Sequence, residues 1–371
     1  MTATINIGLI GAGWFGREAH LANLLKIENT RVIAASSRSD ESLQQVQAMA
    51  GNSIETFTDW QRVLEIDAVD AVVIALTNDQ HHAAAMAAFA AGKHVLCEKP
   101  LGLSYHEAYR MAVAAKESGV TNMVPFTYSF MPTARFLKEL IDSNYLGRPY
   151  HLNMRYYGGG GRKPGYLWRF DTRLGGTGAL GDIGSHFLFI ARWLYGEVVQ
   201  VRGQLDRLGE RPELDPEGME YPKADDTALI CLRFENGAQG IVHASTLAYE
   251  PTPFAQIHQM EFHGSEGTLH SFTDWDRAQQ VSGTRIDEGP LKVLKIPDHI
   301  WGKARRDRVH DTYRDVFRAE GWMTGQFIDG VAEGRQVFPD FQEGAAIQRI
   351  LDSALLSDAE HRSVSLLEIS S

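Results

Sequence analysis

Apolar residues come in short filled runs over the first third of the chain and in long alternating runs after it. Residues 5–10, 31–35, 68–76, 94–97 and 121–124 carry hydrophobic side chains at both parities, the pattern of strands buried on two faces. Between them lie stretches of helical spacing at 17–26, 42–50, 59–64, 83–91 (closed by Gly92) and 105–118. Strand alternating with helix predicts a doubly wound parallel sheet.

The rhythm changes after Val124. A connector, 125–132, leads to an amphipathic helix over 133–143, and strands with one polar and one apolar face follow at 150–157, 198–208, 227–234, 239–247 and 259–272. Glu235-Asn236-Gly237 between two of them is a hairpin turn signal. A large, mostly antiparallel open sheet is expected, with helices on one face and a subunit interface on the other. Residues 298–320, rich in Arg and Asp, read as an insertion with helical character, and 321–334 and 341–359 as closing helices. The predicted organisation is an α/β domain over 1–124 and an α+β domain over 125–371.

A chain of 371 residues is long enough for two cores. With 44% hydrophobic and 22% charged residues it is globular, and a formal net charge of -11 argues against nucleic acid or an anionic membrane as partner. Small molecules fit better. The two cysteines, Cys97 and Cys231, lie far apart in strand-like runs, which predicts free thiols and a reducing cytoplasm. Met1 to Thr4 carries no basic and apolar leader pattern, and no apolar run approaches the roughly 20 residues of a membrane span.

Candidate chemistry begins at Gly11-Ala12-Gly13-Trp14-Phe15-Gly16, directly between the first strand and the first helix. In such a loop the first glycine makes a tight turn, the second admits a pyrophosphate and the third packs helix on strand. At the end of the second strand, where an acid would hold the ribose diol of NAD, stand Ser36, Ser37 and Arg38. Without a carboxylate to repel a 2'-phosphate, and with a guanidinium to pair with it, the cofactor leans toward NADP over NAD. The strand His94–Cys97 ends in Glu98-Lys99-Pro100, so Lys99 stands at the carboxyl end where open α/β sheets bind ligands. His81 and His82 are adjacent at a helix start with no further donor cluster, so a metal is not expected. In the second half, Arg162, Tyr166, Trp168 and Arg169 follow a run of four glycines and suit a hydroxyl-rich pocket. Asp182 and His186, four apart after Gly175-Gly176, share a helix face, an arrangement for proton transfer.

The glycine loop, Glu98-Lys99-Pro100, and Gly175-Gly176 through Asp182-Ile183-Gly184-Ser185-His186 together resemble the glucose-fructose oxidoreductase, inositol dehydrogenase and rhizopine-catabolism (Gfo/Idh/MocA) family over essentially the whole chain. Asn78, His81, Trp168-Arg169, Asp226 and Asn236-Gly237 support the likeness. The resemblance implies a Rossmann domain that binds dinucleotide with Gly11, Gly13, Trp14, Phe15, Gly16, Asn78, His81, Glu98 and Lys99. It also implies a substrate site of Lys99, Tyr128, Asp182 and His186, with His186 as general base and Lys99 polarising the substrate oxygen. The implied enzyme is an NAD(P)-dependent dehydrogenase of a sugar, polyol or cyclitol; the uncovered face of the second sheet predicts a homodimer or homotetramer, and the cysteine usage a cytoplasmic one. Its rivals are a glycosidase that oxidises transiently with bound NAD and a non-catalytic dinucleotide-sensing regulator. Departures from the family pattern are Phe189 in place of an acid, Leu76-Thr77, and Thr127 and Ser129 around Tyr128; they bear on substrate identity.

Overall fold

The computed structural model describes residues 4–51 and 53–371, and the lead-in before Thr4 lies outside them. Six strands, β1 (Ile5–Ile10), β2 (Thr30–Ser36), β3 (Glu55–Phe57), β4 (Ala71–Ile74), β5 (His94–Cys97) and β6 (Asn122–Met123), form a parallel sheet in the order β3-β2-β1-β4-β5-β6. Ile7, Leu9, Val72, Val73, Val95 and Leu96 are fully buried, as strands covered on both faces require. The order reverses between β1 and β4, the switch point beyond which such sheets bind ligands. β3, three residues with a polar start, had no signal in the sequence and owes its extension to pairing with Ala34–Ser36.

The chain divides into two compact units, and the first holds the residues up to Pro125 together with Tyr313–Ala346. The returning segment runs along the β6 edge. Thr121 Oγ1 donates to Arg335 O at 3.0 Å, Val124 N–H to Pro339 O at 3.0 Å, and Phe341 N–H to Asn122 Oδ1 at 2.9 Å. A single boundary after 124 omits this return, because the amphipathic helix Met323–Glu333 does not encode which sheet it covers.

The second unit, Phe126–Thr312 with Ile347–Ser370, is built on a nine-stranded sheet. Its strands are β7 (Pro149–Tyr157), β8 (Val198–Asp206), β9 (Thr227–Phe234), β10 (Gln239–Ser245), β11 (Ile257–Gly264), β12 (Gly267–Asp274), β13 (Ala278–Arg285), β14 (Lys292–Leu294) and β15 (Val364–Ser365), in the order β14-β13-β12-β11-β7-β10-β9-β8-β15. β7 and β10 pair parallel and the other neighbours antiparallel. Met154 faces Val242 on one side and Met260 on the other, and all three are buried; the helix Ser185–Tyr195 packs on β7 and β10, and Pro132–Asp142 on β12 and β13. The opposite parity, including Arg155, Leu229, Cys231 and Ile241, is exposed.

The run 259–272, expected as one strand, is the β11–β12 hairpin. Ser265 and Glu266 turn the chain between Gly264 and Gly267, where a Cβ would overlap the carbonyl oxygens of Leu146 and Tyr145 respectively. No helix among the described residues is long and apolar enough to cross a membrane.

Candidate active site

The glycine loop leaves β1 through Gly11, whose φ of +96° is open to glycine and whose Cβ would sit 2.6 Å from Ala75 O. Gly11 and Ala12 N–H both donate to Ser36 O, at 3.2 and 2.7 Å, which ties the loop to the end of β2. Gly13 is exposed, and a Cβ there would meet nothing within 4 Å. A Cβ at Gly16 would overlap Gly11 O, so the chain turns into its helix against its own loop. These are the requirements of a pyrophosphate cradle: open above the second glycine, closed at the first and third. Trp14 is 72% exposed beside this space, whereas Phe15 packs edge-on against His20 and Phe317 with centroids 5.5 and 6.2 Å away.

The regular helix expected over 17–26 is instead a wide π turn, Gly16–Leu21, followed by Ala22–Leu24. The widening falls where Gly16 presses on Gly11 and His20 turns inward. At the end of β2, the Ser36 hydroxyl is buried with no hydrogen-bond partner, Ser37 Oγ accepts from Ser39 N–H at 3.3 Å, and Arg38 is exposed. A buried orphan hydroxyl and an exposed guanidinium at this strand end suit the adenosine ribose of a dinucleotide.

Beyond β4 the helix begins at Asn78, five residues earlier than expected, so His81 lies within it and not ahead of it. His81 is fully enclosed: Nδ1 is 2.9 Å from Pro100 O and Nε2 3.3 Å from Leu76 O, and burial holds its pKa below the usual histidine range. Its ring joins the ends of β4 and β5 through the Leu76 and Pro100 carbonyls. Asn78 is buried beside it in the same first turn. Lys99 is half-buried after β5, and its peptide to Pro100 is cis. Glu98 is buried. Its Oε1 takes a hydrogen bond from His20 Nε2 at 2.9 Å, and its Oε2 accepts from Lys99 N–H at 3.2 Å.

In the second unit, Gly178 packs so closely on Asp225 that a Cβ would overlap the Asp225 carbonyl. Asp225 is sealed in, with Oδ1 accepting from Gly178 N–H and Oδ2 from Leu180 N–H, both at 2.8 Å. Burial pushes its carboxyl up to about 6, against the pull of those two donors. The turn so clamped carries Asp182, in the wide turn Leu180–Gly184, and His186, in the first turn of Ser185–Tyr195. Asp182 is part-exposed with Arg169 Nε 3.5 Å from Oδ1, and the Arg169 guanidinium lies 4.6 Å over Trp168. Trp168, Arg169 and Asp182 thus form one polar-aromatic group.

Two further candidates hold contacts of their own. Tyr166 donates to Asp171 Oδ2 at 2.8 Å, a carboxylate that also caps Thr172–Gly175, and its hydroxyl is pushed up to about 12 by burial and that carboxylate. Arg162 donates to Leu247 O at 3.2 Å and covers Tyr249. Tyr166 is thus tied to Asp171, and Arg162 to Leu247 and Tyr249 in the segment after β10.

Tyr128 and His186 are brought together, and with them residues the sequence gave no reason to single out. Tyr156, Phe187, His258 and Trp275 surround Tyr128 within 6.3 Å, centroid to centroid. Phe189, the departure noted from the family pattern, is fully buried and stacked on Phe126 at 4.3 Å. Only the alternation of β11 marks His258 as inward-facing.

The profile described as "Oxidoreductase family, NAD-binding Rossmann fold" matches residues 5–126, and that described as "GFO/IDH/MocA C-terminal domain" matches 134–270. The chain is 29% identical to the levoglucosan dehydrogenase of Pseudarthrobacter phenanthrenivorans, over 99% of both chains. It is 31% identical to the glucose-6-phosphate 3-dehydrogenase of Bacillus subtilis, over 97% of this chain and 98% of the other. A solved levoglucosan dehydrogenase in complex with NADH and L-sorbose superposes with a TM-score of 0.86 at 26% identity, covering 99% of this chain and 100% of that one.

Proposed function

The chain belongs to the GFO/IDH/MocA oxidoreductase family, and we propose that it oxidises a secondary alcohol or hemiacetal carbon of a sugar, polyol or cyclitol with NAD(P). The observation that carries this reading is the glycine loop, with room above Gly13 and none at Gly11 or Gly16. Bound NAD(P) would accept the hydride. Gly11, Gly13 and Gly16 hold the pyrophosphate, Trp14 covers it, and Ser36, Ser37 and Arg38 meet the adenosine ribose, with Asn78 and Lys99 toward the nicotinamide.

Lys99 polarises the substrate hydroxyl, and His186 takes the proton that leaves that oxygen as the C–H electron pair departs. Asp182 fixes the substrate and the charge near His186, while Tyr128, Trp168 and Arg169 bind the ring and its hydroxyls. The absence of an acid at the end of β2, with Arg38 exposed there, supports NADP ahead of NAD. Exposed Leu229 and Ile241 on the open face of the second sheet support a homodimer or homotetramer, and the two free cysteines a cytoplasmic setting.

The test is steady-state turnover of a panel of sugars and cyclitols with both cofactors. Lys99→Ala and His186→Ala are each expected to lose at least about a hundredfold in kcat. Wild-type turnover in both variants would overturn the assignment. Free reduced cofactor accumulating in solution would separate this reading from a glycosidase that recycles it.

A further inference from the structure

The proposed chemistry leaves one buried pair unused. His20 lies in the helix opened by the glycine loop and Glu98 at the end of β5; their side chains are 0% and 9% exposed and joined Nε2 to Oε1 at 2.9 Å. His20 Nδ1 is buried with no hydrogen-bond partner. Phe15 and Phe317 stand edge-on to the imidazole, both at 5.5 Å, so it cannot swing away. The other Glu98 oxygen takes the Lys99 main-chain N–H.

We propose that His20 is a positioning residue, which couples the dinucleotide loop to Lys99 through the Glu98 carboxylate; this rests on the role given above to Lys99. The path is continuous: Gly16 seats the helix against Gly11, the helix presents His20, His20 fixes one Glu98 oxygen, and the other fixes the Lys99 backbone. The sequence Glu98-Lys99-Pro100 thereby acquires a purpose for its acid that contact with a ligand would not supply. A carboxylate buried this deeply needs a donor on each oxygen, and these two neighbours supply them.

Removing His20 would release Glu98 to seek another partner, and Lys99 is adjacent. His20→Leu deletes the donor, while His20→Gln places an amide N–H where Nε2 stood. For the full-length protein, NADH binding by fluorescence, kcat on an oxidised sugar from the panel, and the rate at which an acylating reagent labels Lys99, read by peptide mass spectrometry, are compared after melting curves have shown both variants folded. His20→Leu is expected to bind NADH within about threefold of wild type, to lose at least about tenfold in kcat and to change Lys99 labelling at least about threefold, with other lysines unaffected. His20→Gln should restore most of both. Equal Lys99 labelling in all three proteins, or equal damage in Gln and Leu variants, would overturn the coupling. If His20→Leu fails to fold, the Gln variant decides: loss of kcat or of normal Lys99 labelling in it overturns the proposal, and retention supports it. A wild type inactive on the whole panel would count against the proposed reaction, while the labelling arm still decides the coupling.

Discussion

The ring of Tyr128 lies 4.2 Å from the imidazole of His186, tilted by 33°. A second imidazole, His258, is 4.4 Å from the same phenol ring, so Tyr128 spaces a buried histidine from the proposed base. Tyr128→Ala should leave room for His186 to turn, lowering kcat/KM by about 10- to 100-fold, or roughly 1.4 to 2.7 kcal/mol. Tyr128→Phe keeps the ring and should remain within about threefold. If Phe costs as much as Ala in steady-state assays, the hydroxyl itself acts on the substrate and the packing account is wrong.

His258 makes stability depend on pH. Burial pushes it down to about 3, and its Nε2 accepts the Trp275 indole N–H at 3.2 Å. An unfolded histidine titrates near about 6.5, so between about 6.5 and 3 the unfolded chain binds a proton that the folded one refuses. The stabilisation is therefore complete above that window and falls with decreasing pH, by up to about 1.4 kcal/mol per unit. Urea midpoints measured from pH 7 to pH 5 should fall less steeply for His258→Gln than for wild type. Parallel curves would place the acid sensitivity in other groups.

The glycine loop separates fold from function. Gly16→Ala forces a Cβ onto Gly11 O and should lower the melting temperature by several degrees, a cost of about 2 kcal/mol or more. Gly13→Ala meets nothing within 4 Å and should melt as wild type does, yet raise the NAD(P) dissociation constant at least about tenfold by blocking phosphate approach. Unimpaired cofactor binding in a folded Gly13→Ala protein would remove the cradle from this loop.

How much of this was legible depends on how local each signal was. The β1–loop–helix motif could be read because its glycines answer to neighbours a few residues away, and the parallel sheet followed from filled apolar runs. The β11–β12 hairpin was missed because Gly264 and Gly267 are required by the backbone at Tyr145 and Leu146, more than a hundred positions earlier. The same holds for function. Lys99 and His186 were named from their motifs, whereas His20 gains its meaning only from Glu98, 78 residues on. His81, Tyr166 and Arg162 meet carbonyls and a carboxylate that the fold brings close, contacts that no local pattern announces.

The cofactor preference turns on Arg38. It is exposed at the end of β2, with no carboxylate among Ser36, Ser37 and Arg38 to accept the ribose diol or repel a 2'-phosphate. Charge-assisted bonds from the guanidinium should favour the phosphorylated cofactor by about 1.5 to 3 kcal/mol, roughly ten- to a hundredfold. Solvent opposes this, since an exposed pair gains far less than a buried one, and Asp40 and Glu41 open the next helix with the wrong charge for a phosphate. The two effects are separated by one variant. Arg38→Ala should raise the dissociation constant for NADPH at least about tenfold and for NADH less than about threefold, read by fluorescence titration at low and high salt. Equal losses for the two cofactors would mean that Arg38 only stacks on adenine, and the ribose end would then be as open to NAD as to NADP.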